Sequence, residues 1–242
     1  MARTRDNTAS IPETSLFSDV RSLEESGLRA AERRYEPGDT VFMAGEPADR
    51  LYLLIEGMVR VCKPYGSYSQ ATIALLKDRG GFGEFDLFGK DQQSASAEAL
   101  TGCRVASIRK SDLRYAMERD PGLAVELFSL FSEKLRYSEQ MMTVLLNREI
   151  IPRLSALLPG LAERFADNTG EDAGESVIPL SHSELAEMIA STREAVSKAL
   201  GQLQSEGLVE LGPRRIRVKN LHSLQEYTSV SLLDSGSLGD SQ

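Results

Sequence analysis

Two short signatures constrain this chain more than anything else in it: Ser181-His182-Ser183-Glu184 and Ser191-Thr192-Arg193-Glu194. Each places a glutamate three residues after a serine, the pattern of a capping box. In a capping box the serine hydroxyl accepts a first-turn N–H and the glutamate reaches back to the cap. Two helix starts ten residues apart leave room for one helix of about eight residues, a tight turn and a second helix. Beyond the second start, Val196, Ala199, Leu200 and Leu203 recur at i, i+3, i+4 and i+7, which predicts one buried face. Arg193 and Ser197 stack one turn apart on the outward side, with Glu194 and Lys198 beside them. Gly207 in "SEGL" is placed to end the second helix in a left-handed conformation. "LVELGPRRIRV" then reads as strand, Gly-Pro turn, strand: a wing carrying Arg214, Arg215 and Arg217, suited to phosphates.

An arginine and a glutamate side by side at a helix start have one ordinary explanation, a solvated first turn with the glutamate serving as a cap. They have another when the helix enters a DNA major groove N-terminus first. Arginine can then pair with guanine O6 and N7, and glutamate can accept from a cytosine amine. Bulk charge alone argues against nucleic acid, since the formal net charge is -8. Local charge argues for it. Six basic and three acidic residues fall between Arg193 and Lys219, giving that span +3 and the remainder -11.

The first half of the chain has another texture. From Arg34 to Ile108, short apolar runs are cut by turn signals about every ten residues, which predicts a β-sandwich or β-roll. Strands are expected at Leu51–Ile55, Met58–Cys62 and Cys103–Ile108, with turns at Gly45–Pro47 and Glu56–Gly57. A short helix is expected over Leu16–Ala31. Cys62 and Cys103 have no CxxC spacing and read as free, part-buried thiols of a reducing cytoplasm. No run of about 18 apolar residues predicts a membrane span, and the first residues lack the apolar stretch of a secretory leader. Two histidines, no nucleophile motif and no metal-ligand spacing leave catalysis unsupported.

Pro121 to Arg148 has no glycine or proline after Gly122 and predicts one long helix. Phe128, Leu135 and Met142 are seven apart, as are Phe131, Ser138 and Leu145, an a/d seam with five apolar positions of six. Such a helix either packs on its own domain or pairs with a second copy.

"LSHSELAEMIASTREAVSKALGQLQSEGLVEL" resembles the helix-turn-helix of the Crp/Fnr superfamily of bacterial transcription regulators. "EPGDTVFMAGEPADRLYLLIEGMVRV" and "GGFGEFDLF" resemble its cyclic-nucleotide-binding-type β-roll. The likeness runs from about residue 30 to 225 in the expected order. It implies an α+β chain: an N-terminal β-roll of jelly-roll type, a long dimerisation helix and a C-terminal winged helix-turn-helix. Expected boundaries are an unstructured 1–14, a sensing roll over 15–118, a dimerisation helix over 119–149, a DNA-binding domain over 150–228 and a tail over 229–242. The resemblance implies a homodimer, a two-fold symmetric double-stranded DNA site with TGTGA-like half-sites, and activation through RNA polymerase, with no membrane involved. It places Arg193, Glu194 and Lys198 on base- and backbone-reading positions. The wider DNA-facing set is Ser191, Thr192, Ser197, Arg214 and Arg215.

In cyclic-nucleotide-binding members the Gly-Glu of the "FGEF" segment offers its glutamate to the ribose, and an Arg-Ser pair about ten residues later clamps the phosphate. Here Gly83, Glu84 and Phe85 are present, but Gln93 stands at the arginine position, before Ser94 and Ala95. A neutral amide cannot supply the charge-assisted pairing of a buried phosphate, so cyclic AMP is not the expected ligand. On the long helix Ser138 and Glu139 fall on ligand-facing positions, and a carboxylate there repels an anion unless Lys134 neutralises it. Nitrogen-control members bind 2-oxoglutarate with a roll arginine and an Arg…Glu pair on the long helix. Lys134 and Glu139 keep that spacing, but Gln93 again replaces the roll arginine. Cyclic nucleotide, 2-oxoglutarate or a similar acid, and another ligand or none stay open. The cysteine cluster of iron–sulfur sensors is missing, and His182 and His222 both lie in the DNA-binding half. A stand-alone ligand-binding module competes with the regulator, and the wing and its basic span argue against it.

Overall fold

The computed structural model describes residues 28–65, 69–77, 80–165, 177–219 and 223–224. The expected unstructured 1–14, the polar loop 167–176, His222 and the tail 229–242 lie outside the described residues, as does most of the expected Leu16–Ala31 helix. The chain divides into two compact units, one through Leu135 and one from Arg136 on.

The first unit is the roll. Strands β1 (Ala30–Tyr35), β2 (Thr40–Phe42), β3 (Arg50–Glu56), β4 (Met58–Tyr65), β5 (Ser69–Lys77), β6 (Gly80–Phe82), β7 (Ser96–Ala99) and β8 (Cys103–Arg109) form two four-stranded sheets. Their orders are β1-β8-β3-β6 and β2-β7-β4-β5. Ala30 and Ala31 are strand, not the helix end expected from sequence. They pair with Ile108 and Ser107 in an antiparallel ladder, and this long-range pairing overrides their local helix preference.

Alternation along β3 builds two cores. Leu51 and Leu53 face one way and join Leu113, Leu123, Leu127 and Leu130 in an apolar layer. Tyr52 and Leu54 face the other way, between the sheets, with Phe42 and Phe82. The Tyr52 ring lies 5.0 Å from Phe42 and 5.4 Å from Phe82, and burial pushes its phenol up to about 12. Gly57 turns the chain between β3 and β4 at φ +98°, where a Cβ would stand 2.4 Å from the Gly102 carbonyl. Cys62 and Cys103 are free but fully buried rather than part-buried. The Cys103 thiol donates to the Met58 carbonyl at 3.1 Å.

Helices α1 (Lys110–Arg119) and α2 (Pro121–Leu146) follow. Helix α2 carries two apolar stripes. Leu123, Leu127 and Leu130 are buried against the roll. Val125, Phe128, Leu135, Met142 and Leu146 are all exposed, from 58% to 81% of their surface. This differs in part from the expected seam. Phe131 packs against the roll core, because it lies about 60° from Phe128 on a 3.6-residue helix, toward the buried stripe. Ser138 and Leu145 are exposed beside the outward stripe rather than at its centre.

The second unit contains α3 (Ile150–Phe165), β9 (Val177–Ile178), α4 (His182–Met188), α5 (Arg193–Ser205), β10 (Val209–Gly212) and β11 (Arg215–Val218), with sheet order β10-β11-β9. Leu154, Leu158, Leu161, Ile178, Leu185, Val196, Leu200, Leu203, Val209 and Ile216 are almost wholly buried. Each such side chain stabilises by about 1.5–3 kcal/mol relative to exposure, so the face of α5 bearing Val196, Leu200 and Leu203 is fixed inward. Its opposite face is thereby fixed outward.

Candidate functional site

The first capping box forms as the sequence predicts. Glu184 N–H donates to the Ser181 hydroxyl at 3.2 Å, and Ser181 N–H donates to Glu184 Oε2 at 2.6 Å. The second does not. Helix α5 is capped by Thr192, whose hydroxyl accepts from Ala195 N–H at 3.3 Å, and Ser191 is left in the turn. The turn sets this register. Ala190 takes a left-handed φ of 51°, and Ser191 N–H donates back to the Ala186 carbonyl at 2.9 Å. Arg193 is therefore the first residue of α5, one place nearer its N-terminus than a Ser191 cap implies.

Arg193, Glu194 and Lys198 are exposed on the outer face of α5, and among the described residues no hydrogen bond or ion pair engages their side chains. Ser197 is half-buried instead of freely outward. Its hydroxyl lies 2.8 Å from His182 Nδ1, which links the start of α4 to the second turn of α5. Burial, and then the nearby Arg193 charge, hold the His182 imidazole below its ordinary range, so the ring favours its neutral form.

On the wing, Arg215 is exposed at the start of β11. Arg214 is not the unengaged cation that the sequence suggests. It occupies a left-handed φ of 48° and its Nη2 donates to Glu184 Oε1 at 2.9 Å. A third tie was not legible from the sequence: Arg153 on α3 donates to the Asn147 carbonyl at 2.7 Å and the Ile189 carbonyl at 2.9 Å. It thus fastens the α2–α3 joint to the turn before α5. Contacts spanning 30 or 36 residues leave no local pattern to read.

In the roll, Glu84 is 1% exposed and Lys134 is 9% exposed. Lys134 Nζ stands 2.6 Å from Glu84 Oε1 and donates to the Gly81 carbonyl at 2.6 Å. It also lies 5.6 Å from the centre of the Phe85 ring, which is itself exposed. Lys134 therefore neutralises Glu84 and not Glu139, so the condition for an anion beside Glu139 is not met, while Ser138 and Glu139 lie exposed on α2. The correction is physical: a carboxylate as buried as Glu84 needs a counter-charge, whereas Glu139 has water.

Gln93 is 5% exposed, and its backbone bonds to both Gly45 and Glu46 at 2.8 Å. Its side-chain Nε2 has no hydrogen-bond partner among the described residues, and neither does Glu84 Oε2. Ser94 N–H donates to Asp86 Oδ2 at 2.7 Å, tying the Gln93–Ser94–Ala95 segment to the one bearing Glu84. Burial pushes the Asp86 carboxyl up, but the Ser94 bonds and the charges of Lys90 and Lys63 outweigh it, and the group titrates below its ordinary value. Gly83 sits at φ +79°, with no room for a Cβ, which would fall 2.7 Å from the Tyr52 ring.

Residues 32–120 match the cyclic nucleotide-binding domain family, and residues 152–227 match the Crp-like helix-turn-helix domain family. Over 219 residues the chain is 31% identical to the global nitrogen regulator of Synechococcus elongatus, spanning 90% of this chain and 98% of that one. The chain belongs to the Crp/Fnr family of transcription regulators. A second member, the cyclic AMP receptor protein of Thermus thermophilus, is 30% identical over 199 residues, 80% of this chain and 86% of that one. The solved structure of FixK2 from Bradyrhizobium japonicum superposes with a TM-score of 0.72 at 27% identity, covering 82% of this chain and 97% of that one. As a Crp/Fnr member the chain joins a cyclic-nucleotide-type roll to a DNA-binding helix-turn-helix. Among the described residues no helix is long and apolar enough to cross a membrane.

Proposed function

We propose that two copies of this chain bind a two-fold symmetric, TGTGA-like DNA site and activate transcription through RNA polymerase, in the cytoplasm. The observation that carries the reading is the outer face of the first two turns of α5. Arg193, Glu194 and Lys198 project from it exposed and, among the described residues, without side-chain hydrogen bonds or ion pairs, while the opposite face is locked into the core. Arg193 reads a guanine, Glu194 accepts from a cytosine, and Lys198 and Arg215 meet the backbone, with the capped turn of Ser191 and Thr192 against the phosphates. The outward stripe of α2, with Phe128, Leu135 and Met142, supplies the dimer contact.

The roll does not require a cyclic nucleotide. Gln93 offers no positive charge, and the nearby cation, Lys134, already compensates Glu84. A bound 2-oxoglutarate would likewise need Lys134 released from a buried pair. The test is a gel shift with extensively dialysed protein on a TGTGA-type palindrome and on a scrambled duplex of the same composition. Selective binding without added cyclic AMP or 2-oxoglutarate is expected. Equal affinity for both duplexes would sink the sequence-specific reading. Run-off transcription with purified RNA polymerase then decides the activating role.

A further inference from the structure

We infer that Arg214 is a positioning residue that ties the wing to the first helix of the helix-turn-helix through Glu184, and that it is not a phosphate contact. The inference rests on the DNA-binding reading and reassigns one of its residues. Glu184 is 7% exposed and both of its oxygens are in use. Oε2 closes the capping box on Ser181, and Oε1 accepts from Arg214 Nη2. One carboxylate thus joins the start of α4 to the tip of the β10–β11 wing, 30 residues away. The backbone agrees. Arg214 holds a left-handed conformation, which is unfavourable for an L-residue with a Cβ and persists when the surroundings determine it. The Arg214 side chain reaches back to Glu184 on α4 while 58% of it stays exposed, and Arg215, next in the chain, is exposed as well.

Charge leads to the same assignment. A phosphate approaching the Arg214 guanidinium also approaches the Glu184 carboxylate, and the pair has no net charge to offer. The pair instead sets where the wing, and with it Arg215, meets the duplex. The two roles predict opposite signs for one substitution. Glu184→Gln keeps an oxygen for the Ser181 cap but removes the charge that holds Arg214. If Arg214 is a strut, the wing loosens and DNA affinity falls. If Arg214 is a phosphate contact, losing a competing anion raises affinity.

The experiment uses the full-length chain as wild type, Glu184→Gln, Arg214→Gln and the double variant. Affinity for the palindrome is read by anisotropy over a range of salt, and amide exchange of Val209–Val218 is read without DNA. Each single variant should bind about tenfold more weakly, and the double variant no more weakly than either. The salt slope should match wild type, because no phosphate contact is lost, and wing exchange should rise in all three. Tighter binding by Glu184→Gln, additive losses, or a shallower salt slope for Arg214→Gln would each overturn the inference. Should the wild type show no sequence preference, the DNA-binding reading fails separately and the exchange data decide the strut.

Discussion

The roll and the helix-turn-helix handle charge in opposite ways. In the roll, Glu84 and Lys134 are both buried and compensate each other at 2.6 Å. On α5, Arg193, Glu194 and Lys198 are exposed, and among the described residues no hydrogen bond or ion pair engages their side chains. Burying an ion pair costs heavy desolvation that only the pairing offsets, so such a pair is closed to other business. Charges left in water cost little and stay available to a partner that carries the complementary groups. The comparison teaches that buried charge in the roll is compensated by its own counter-ion, while the helix-turn-helix keeps its charges open on the face of α5.

The largest expected effect comes from breaking the closed side. Lys134→Met leaves Glu84 buried without a counter-charge and should destabilise the chain by about 3–5 kcal/mol in chemical denaturation. Adding Glu84→Leu should recover most of that loss. If Lys134→Met alone is neutral, the pair does not stabilise the roll. Next in size is the outward stripe. Met142→Glu puts a charge into the proposed dimer contact and should weaken association by about a hundredfold. Sedimentation showing an undiminished dimer at micromolar concentration would remove α2 as the seam. Smaller again is the response to nucleotide: titration calorimetry with cyclic AMP should give no saturable heat at micromolar concentration. A low-micromolar constant would show that Gln93 and Lys134 do not exclude the phosphate, and Gln93→Arg is the variant expected to raise affinity.

The smallest effect is a pH dependence at His182. Its folded-state value is depressed by burial and by Arg193, so the folded chain disfavours the charged ring. The contribution is therefore fully present above the unfolded value and is lost as pH falls through the two values. Protection factors for amide exchange in the first turns of α5 should fall modestly as the pH drops through that range, and His182→Gln should flatten the dependence. A rise in protection on acidification would reverse the sign argued here.

Local chemistry explains what was legible in advance. The Ser181 box, the buried face of α5 and the strands at Leu51–Ile55, Met58–Cys62 and Cys103–Ile108 all follow from patterns within about ten residues. The cap of α5 falls one place later than the sequence pattern predicts because Ser191 and Thr192 are both competent acceptors. The choice fell to the Ala190 turn, whose left-handed backbone no side chain announces. Heptad counting places Phe131 on the seam because it cannot separate two stripes that share one helix. Gly81 for Lys134, Ile189 for Arg153 and Glu184 for Arg214 lie 30 to 53 residues away and emerge only when the chain is folded.

The central claim is that the open charges of α5 read bases, and one competition assay bears on it most directly. Wild type and Arg193→Ala are measured against every single-base variant of a TGTGA-type palindrome at two salt concentrations. Arg193→Ala is expected to lose about 1–3 kcal/mol per half-site, to become indifferent at one base pair in each half, and to keep its preferences elsewhere. Uniform weakening across all variants, with the base preference intact, would make Arg193 a phosphate contact and contradict the account.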